Sequence, residues 1–268
     1  VDIVAIHGLG GDLRDTWTHK NGTLWLRDLL PQSMPGARIY TYGYPSGIFL
    51  NRSVAKIRDF SAHFLASLRS EMLDNSASRP IIYVCHSLGG IVFKKAMIDA
   101  CDDYREIWMR SKGVVFLGTP HRGSATATPA ELFGNIFNVA WHASGAALFT
   151  RGVSTDLLKA LKQNSSELLD IAKSFKARSS SLSIATFYEK AITEPLGSSS
   201  AVIGVAHERS SPLFADHREI CRFESEKSGN YKHVLASLQQ IAEESMKEMN
   251  EAASSIGTNL CTYKQSKV

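Results

Sequence analysis

The sequence is short of most features that announce a function class. It holds 4 cysteines in 268 residues. No two stand in C-x-x-C spacing and no histidine pair completes a zinc pattern, so no metal site is expected. The scatter of Cys85, Cys101, Cys221 and Cys261 suits a reducing, cytoplasmic setting, although it leaves room for two buried disulfides. No apolar run reaches the length of a membrane-spanning helix. The opening Val1-Asp2-Ile3-Val4-Ala5-Ile6-His7 has no basic flank and runs straight into glycines, which excludes a signal peptide there. It opens inside what reads as a core strand, so one domain cut from a longer parent is expected. Charge of one sign is also scarce. Lys+Arg number 30 against 26 Asp+Glu, and a net +4 so dispersed excludes the basic stripe of a nucleic-acid binder. No basic amphipathic helix stands out, so stable membrane anchoring is not expected. Internal repeats are missing, and the serine-rich Ser179–Ser183 and Ser198–Ser200 are the only biased stretches.

What is present is ordinary globular material: 44% hydrophobic and 9% aromatic side chains, with a mean hydropathy of -0.11. At about 100–200 residues per domain, this allows one large domain or two small ones. Short β-rich runs alternate with helical patterns, as in a parallel sheet covered on both faces. The strands are predicted at Ile3–His7, Arg38–Tyr42, Ile81–Cys85, Val114–Leu117, Leu182–Tyr188 and Ala201–Val205. Helices are predicted over Ser53–Leu73, Leu88–Ala100, Ser154–Ala177 (one, or two joined near Asn164) and Tyr231–Met249. Lys94 and Lys95 read as a solvated or carbonyl-facing helix edge. Between Arg122 and Asp156 the chain carries Leu132, Phe133, Ile136, Phe137, Trp141, Leu148 and Phe149 with almost no charge. Such a segment is either extra core or a small apolar cap over a site, placed at about residues 124–155. After Ala253 periodicity fades, so Ser254–Val268 reads as a polar tail or linker start.

The sharpest chemical signal is Ile81-Ile82-Tyr83-Val84-Cys85-His86-Ser87-Leu88-Gly89-Gly90. An apolar strand runs into a serine among small residues and a helix follows at once. That is the form of a nucleophile elbow, which exposes the serine Oγ at a sharp turn. Cys85 occupies the place of the first glycine of G-x-S-x-G, and Cys85 itself reads as a small buried residue. The alternative is a plain Ser-Leu-Gly-Gly turn. A second signal is Ile6-His7-Gly8-Leu9-Gly10-Gly11, a glycine loop after a strand. Acyl transfer needs one N–H from the residue after the nucleophile and one from such a loop, which points to Leu88 and Leu9 as the oxyanion hole. A phosphate cradle is the rival, but neither G-x-G-x-x-G nor G-K-[ST] is present.

Together these segments resemble the α/β-hydrolases. The similarity is to the lipase-like serine esterase group that includes inositol-deacylase-like and SERAC-like domains. The resemblance rests on His7–Gly11 with Thr16-Trp17, on Val84–Gly90, and on Phe116–Ser124. It also rests on Thr186-Phe187-Tyr188-Glu189 and Ala215-Asp216-His217-Arg218, and it covers Ile3 to about Phe223. It implies a mostly parallel α/β sheet of about six strands, the third to eighth of the fold. It also implies a place at the head of fungal nucleotide-binding, repeat-bearing receptors.

In this fold the serine is followed along the chain by an acid and then a histidine. The base is therefore sought after the last strand, where His217 matches the family motif, His207 is the rival, and His233 reads as a helix surface residue. The acid is sought at the end of the fifth strand. Glu189 stands there, with Glu194 in competition, while Asp216 and Asp156 belong elsewhere. His7 is expected to order the oxyanion loop, His86 to pack near the elbow, and His121 to stabilise a loop. His19, His63 and His142 show no constellation.

The expected function is a cofactor-free serine hydrolase of esters, lipid or acyl, working through Ser87, His217 and Glu189. An inactive signalling module on the same scaffold is the alternative. Because the motifs run from His7 to His217, a single domain over residues 1–253 is expected.

Overall fold

The computed structural model describes residues 1–46, 55–72, 79–121, 165–190 and 202–265, with side chains of the last helix described to Glu251. The cap expected at about 124–155, and with it His142, Asp156 and Glu194, lies outside the described residues.

The sheet has six strands: β1 Asp2–Ile6, β2 Arg38–Tyr42, β3 Ile81–His86, β4 Ser111–Leu117, β5 Ser183–Glu189 and β6 Glu208–Leu213. Their order is β2-β1-β3-β4-β5-β6, and every neighbouring pair is parallel. All carboxyl ends therefore lie along one rim. Alternation along each strand divides the apolar residues between two faces. Val4, Ile6, Tyr83, Cys85, Val114, Phe116 and Ile184 line one. Ile3, Ala5, Ile82, Val84, Val115, Leu117, Ala185 and Phe187 line the other.

Helices cover both. The short α1 (Trp25–Asp28) and α2 (Leu30–Ser33) join α7 (Gly229–Gln265) on the second face. There Trp25 packs edge-on to Phe223 and Tyr231. α3 (Ala55–Met72), α4 (Leu88–Asp103) and α6 (Ser165–Arg178) cover the first, and the short α5 (Arg105–Arg110) leads into β4. Apolar residues at helical spacing, such as Ile57, Phe60, Phe64, Leu65 and Leu68 on α3, turn one stripe to the sheet.

Three expectations need correction. The sixth strand is not Ala201–Val205. Residues 202–205 are irregular, with Gly204 at φ 74, and the strand is the polar Glu208–Leu213. An edge strand exposes much of its surface, so apolar alternation is weak there, and Pro212 is tolerated because an edge needs fewer donors. Ile203 is still buried in the first core cluster, and the Glu208 carboxylate accepts the amides of Ile203 and Gly204. Lys94 is not at a solvated edge. It is 1% exposed, and its ammonium lies 5.6 Å from the Phe116 ring and 6.0 Å from that of Phe175. Finally, α7 runs on to Gln265 through the stretch expected as a polar tail.

Candidate active site

β1 and β2 lie on one side of the chain reversal and β3 on the other, so the loops after β1 and β3 open away from each other above the sheet. In open α/β sheets this is where a crevice forms at the carboxyl ends. Ser87 stands there, between β3 and α4, at φ 51 and ψ -121. Among the described residues it is the sole non-glycine at positive φ, a backbone cost accepted where a turn must present a side chain.

The neighbours explain the glycines. A Cβ on Gly89 would come within 2.4 Å of the Ile6 carbonyl oxygen, and one on Gly90 within 2.4 Å of Thr119 Oγ1. The elbow is thus pressed onto β1 and onto the loop after β4. The Ser87 amide donates to Leu117 O at 3.0 Å, and Thr119 Oγ1 donates to Ser87 O at 3.2 Å.

His217 reaches this point from the turn after β6. Asp216 Oδ1 accepts the amides of Arg218 and Glu219 at 2.9 and 2.8 Å, an Asx-type turn that fixes the backbone around His217. His217 Nε2 lies 2.9 Å from Ser87 Oγ. Its Nδ1 is hydrogen-bonded to Oε1 of Glu189, the last residue of β5. A carboxylate accepts, so Nδ1 carries the hydrogen and Nε2 faces the serine as acceptor. All three side chains are buried. Glu189 Oε2 has no hydrogen-bond partner among the described residues, so the imidazole is the carboxylate's described partner. Gly118, at φ 58, leaves room for this contact: a Cβ there would sit 2.9 Å from Glu189 Oε1 and 3.1 Å from His217 Nδ1.

The glycine loop after β1 turns tightly. Gly11 N–H donates to Gly8 O at 3.1 Å, with Gly10 at φ 64. In such a turn the Leu9 amide takes no part in the closing bond. Leu88 opens α4, and the first amides of a helix have no intrahelical acceptor. Gly8 is forced to be glycine, since its Cβ would meet Ser87 Cβ at 2.8 Å. His7 braces the loop: Nε2 accepts the Tyr44 amide at 3.2 Å, so Nδ1 is the donor to Gly8 O at 2.9 Å. Tyr44 stacks on the ring with centroids 4.4 Å apart and donates its hydroxyl to His7 O at 2.9 Å. Burial lowers the His7 pKa, against the pull of its bond to Gly8, and favours the neutral ring.

The rivals lie elsewhere. His207 does not end a strand; it precedes β6 at the amino-end rim, where its Nε2–H donates to Ser179 O at 3.1 Å. His233 is exposed on α7. His121 is buried with its ring edge-on to Phe116 at 4.5 Å. Sequence reasoning missed Tyr44 and Gly118 as site residues, and it gave His86 no bond. The Nε2–H of His86 donates to His217 O at 2.9 Å. Gly118 carried a usable signal, a glycine at the exit of a core strand.

No family model matches the chain. Protein SERAC1 of Danio rerio is 24% identical over 270 residues, covering 89% of this chain and 38% of that protein. Protein SERAC1 of Homo sapiens is 25% identical over 146 residues, covering 47% and 22% respectively. This chain thus spans well under half the length of the curated relatives it matches. Among solved structures, a carboxylesterase of the thaumarchaeon Nitrososphaera gargenis superposes with a TM-score of 0.55 over 91% of both chains, at 13% identity. The chain has the α/β-hydrolase fold. Among the described residues no cluster of three His, Cys, Asp or Glu is arranged to hold a metal ion, and no helix is long and apolar enough to cross a membrane. Cys85, Cys101 and Cys221 are free thiols.

Proposed function

We propose that the protein is a serine hydrolase of esters. The observation that carries this reading is one imidazole joined to two partners: His217 Nε2 at 2.9 Å from Ser87 Oγ and His217 Nδ1 on Glu189. In the proposed reaction His217 Nε2 takes the Ser87 proton as Oγ attacks the ester carbonyl. The Leu88 and Leu9 amides receive the tetrahedral oxyanion, and no cofactor is called for. The imidazolium then gives its proton to the departing alkoxide, leaving an acyl-serine and a free alcohol. Water, deprotonated by the same nitrogen, attacks the acyl carbon and releases the acid. Glu189 holds the ring in the Nδ1–H tautomer and offsets its charge. Lipid or other acyl esters are the proposed substrate class. Support for it comes from the apolar composition of residues 124–155 and from the esterase among the fold neighbours.

The free thiols suit action in a reducing, cytoplasmic setting. A place within a larger protein is also proposed, in keeping with relatives of which the matched segment spans 22 to 38%; that this protein is receptor-like rests on the resemblance of its motifs alone.

The test is labelling with a fluorophosphonate, which needs an activated serine. The wild type is expected to label and Ser87→Ala to lose the label completely. A folded wild type that never labels, or label that survives Ser87→Ala, overturns the reading.

A further inference from the structure

His86 is the residue immediately before the serine, yet its side chain does not face the reacting groups. Its Nε2–H donates to the backbone carbonyl of His217 at 2.9 Å. The two imidazoles lie 5.0 Å apart, inclined by 38°. Because Nε2 is the donor, Nδ1 of the neutral ring is an acceptor, and it is buried with no hydrogen-bond partner among the described residues. A buried polar atom left without a partner costs of the order of 1–3 kcal/mol. An apolar side chain of similar shape would avoid that cost but would leave His217 O without its donor, so the ring is accounted for by the bond its Nε2–H makes.

Its position says what it does. The His217 turn hangs at the edge of the sheet, held by β5 and β6, whereas Ser87 directly follows the central β3, which ends at His86. Glu189 approaches from β5 and fixes the far side of the imidazole. Among the described residues the bond from His86 is the one that ties the backbone of the base to the nucleophile's own strand. Gly8 leaves room for the ring, since a Cβ there would lie 3.1 Å from His86 Nδ1.

We infer that His86 is a positioning residue, whose Nε2–H sets the reach of His217 Nε2 to Ser87 Oγ; the inference rests on the nucleophile–base reading proposed above. Burial, and next to it the nearby His217, push the His86 pKa down to about 3. The ring is therefore neutral across the working range and adds no second positive charge beside the imidazolium formed during catalysis.

Side-chain length provides the test. In His86→Gln the terminal amide reaches the place of Nε2 and can donate there. In His86→Asn it reaches only the place of Nδ1, and His86→Leu donates nothing. Hydrolysis of p-nitrophenyl butyrate is measured per active site, the sites being counted by a fluorophosphonate reaction carried to completion, so misfolded protein drops out. The Gln variant is expected to stay close to wild type. The Asn and Leu variants are expected to lose about 10- to 100-fold in kcat with KM unchanged. A purely structural role would lower the number of sites and the Tm but leave kcat per site alike. Asn or Leu variants as fast as wild type per site, or a Gln variant as slow as Leu, would overturn the inference. Ser87→Ala is run in parallel: if it keeps the wild-type rate, the nucleophile assignment itself has failed, which the His86 series alone would not produce.

Discussion

At the scale of single residues, the site depends on where a Cβ is missing as much as on which side chains are present. Gly118 combines a φ of 58 with a position 2.9 Å, Cβ to oxygen, from Glu189 Oε1. Gly118→Ala would place an L-residue in the left-handed region, costing about 1–2 kcal/mol. It would also push the carboxylate and imidazole apart. Since a misplacement of about 1 Å can cost roughly 100-fold, kcat should fall by about that factor while the variant remains folded. Esterase kinetics alongside a thermal melt separates the two effects, and an unchanged kcat would show that the pair tolerates displacement. The elbow pattern, chain order and strand ends, with the family motif around His217 to choose it over His207, pointed to Ser87, Glu189 and His217, the three the structure brings together. Tyr44 and the bond of His86 were not legible, because each acts through a contact between segments distant in sequence, and Gly118 showed only as a glycine at the exit of a core strand. Lys94 was misread for a related reason: a charged residue on a helix is normally solvated, and only packing against Phe116 and Phe175 reveals otherwise.

At the scale of elements, the amino-end rim of the sheet is stapled by a different chemistry. Asp2, fully buried at the start of β1, accepts from Arg38 on β2, from Arg79 ahead of β3 and from Arg110 at the end of α5. Burial works to raise the Asp2 pKa, but the hydrogen bonds from Arg38 and Arg79 outweigh it and the net shift is downward. A carboxyl whose folded pKa is depressed contributes stability above its ordinary pKa, and that contribution is lost as pH falls through the folded value. Asp2→Asn removes the buried charge that three guanidinium groups share, though Arg79 and Arg110 keep backbone acceptors, and should cost about 1–3 kcal/mol in urea unfolding. Fluorophosphonate labelling of the folded variant should persist, because the staple is at the opposite rim from Ser87. A stability within the error of wild type would show that the arginines find other acceptors. The central strands of this sheet were readable from apolar runs, whereas β6 was not. Its sequence Glu-Arg-Ser-Ser-Pro-Leu follows the demands of an edge rather than of a core.

At the scale of the whole molecule, one buried lysine contributes to the slope of stability against pH above neutrality. Burial lowers the Lys94 pKa from its ordinary 10.5 to about 7, opposed by Glu208 and Cys85. The unfolded chain thus binds a proton more readily between about pH 7 and 10.5, so stability rises with pH across that window. Lys94→Met removes the charge and keeps the volume. It should stabilise the fold by roughly 2–4 kcal/mol near pH 7, with the gain shrinking toward pH 10. Urea midpoints at several pH values measure it, and a variant less stable than wild type at pH 7 would show that the ammonium contacts with Phe116 and Phe175 contribute more than its desolvation costs.

Ser87 and His217 meet across 130 residues of chain, with the His7–Gly11 turn and Glu189 contributed from before and between them. No contiguous stretch much shorter than His7 to His217 contains the whole constellation. Recombination between relatives that breaks the chain inside this span would join halves whose turns were never fitted to one another. An exchange that leaves this span whole would keep the four segments matched to one another.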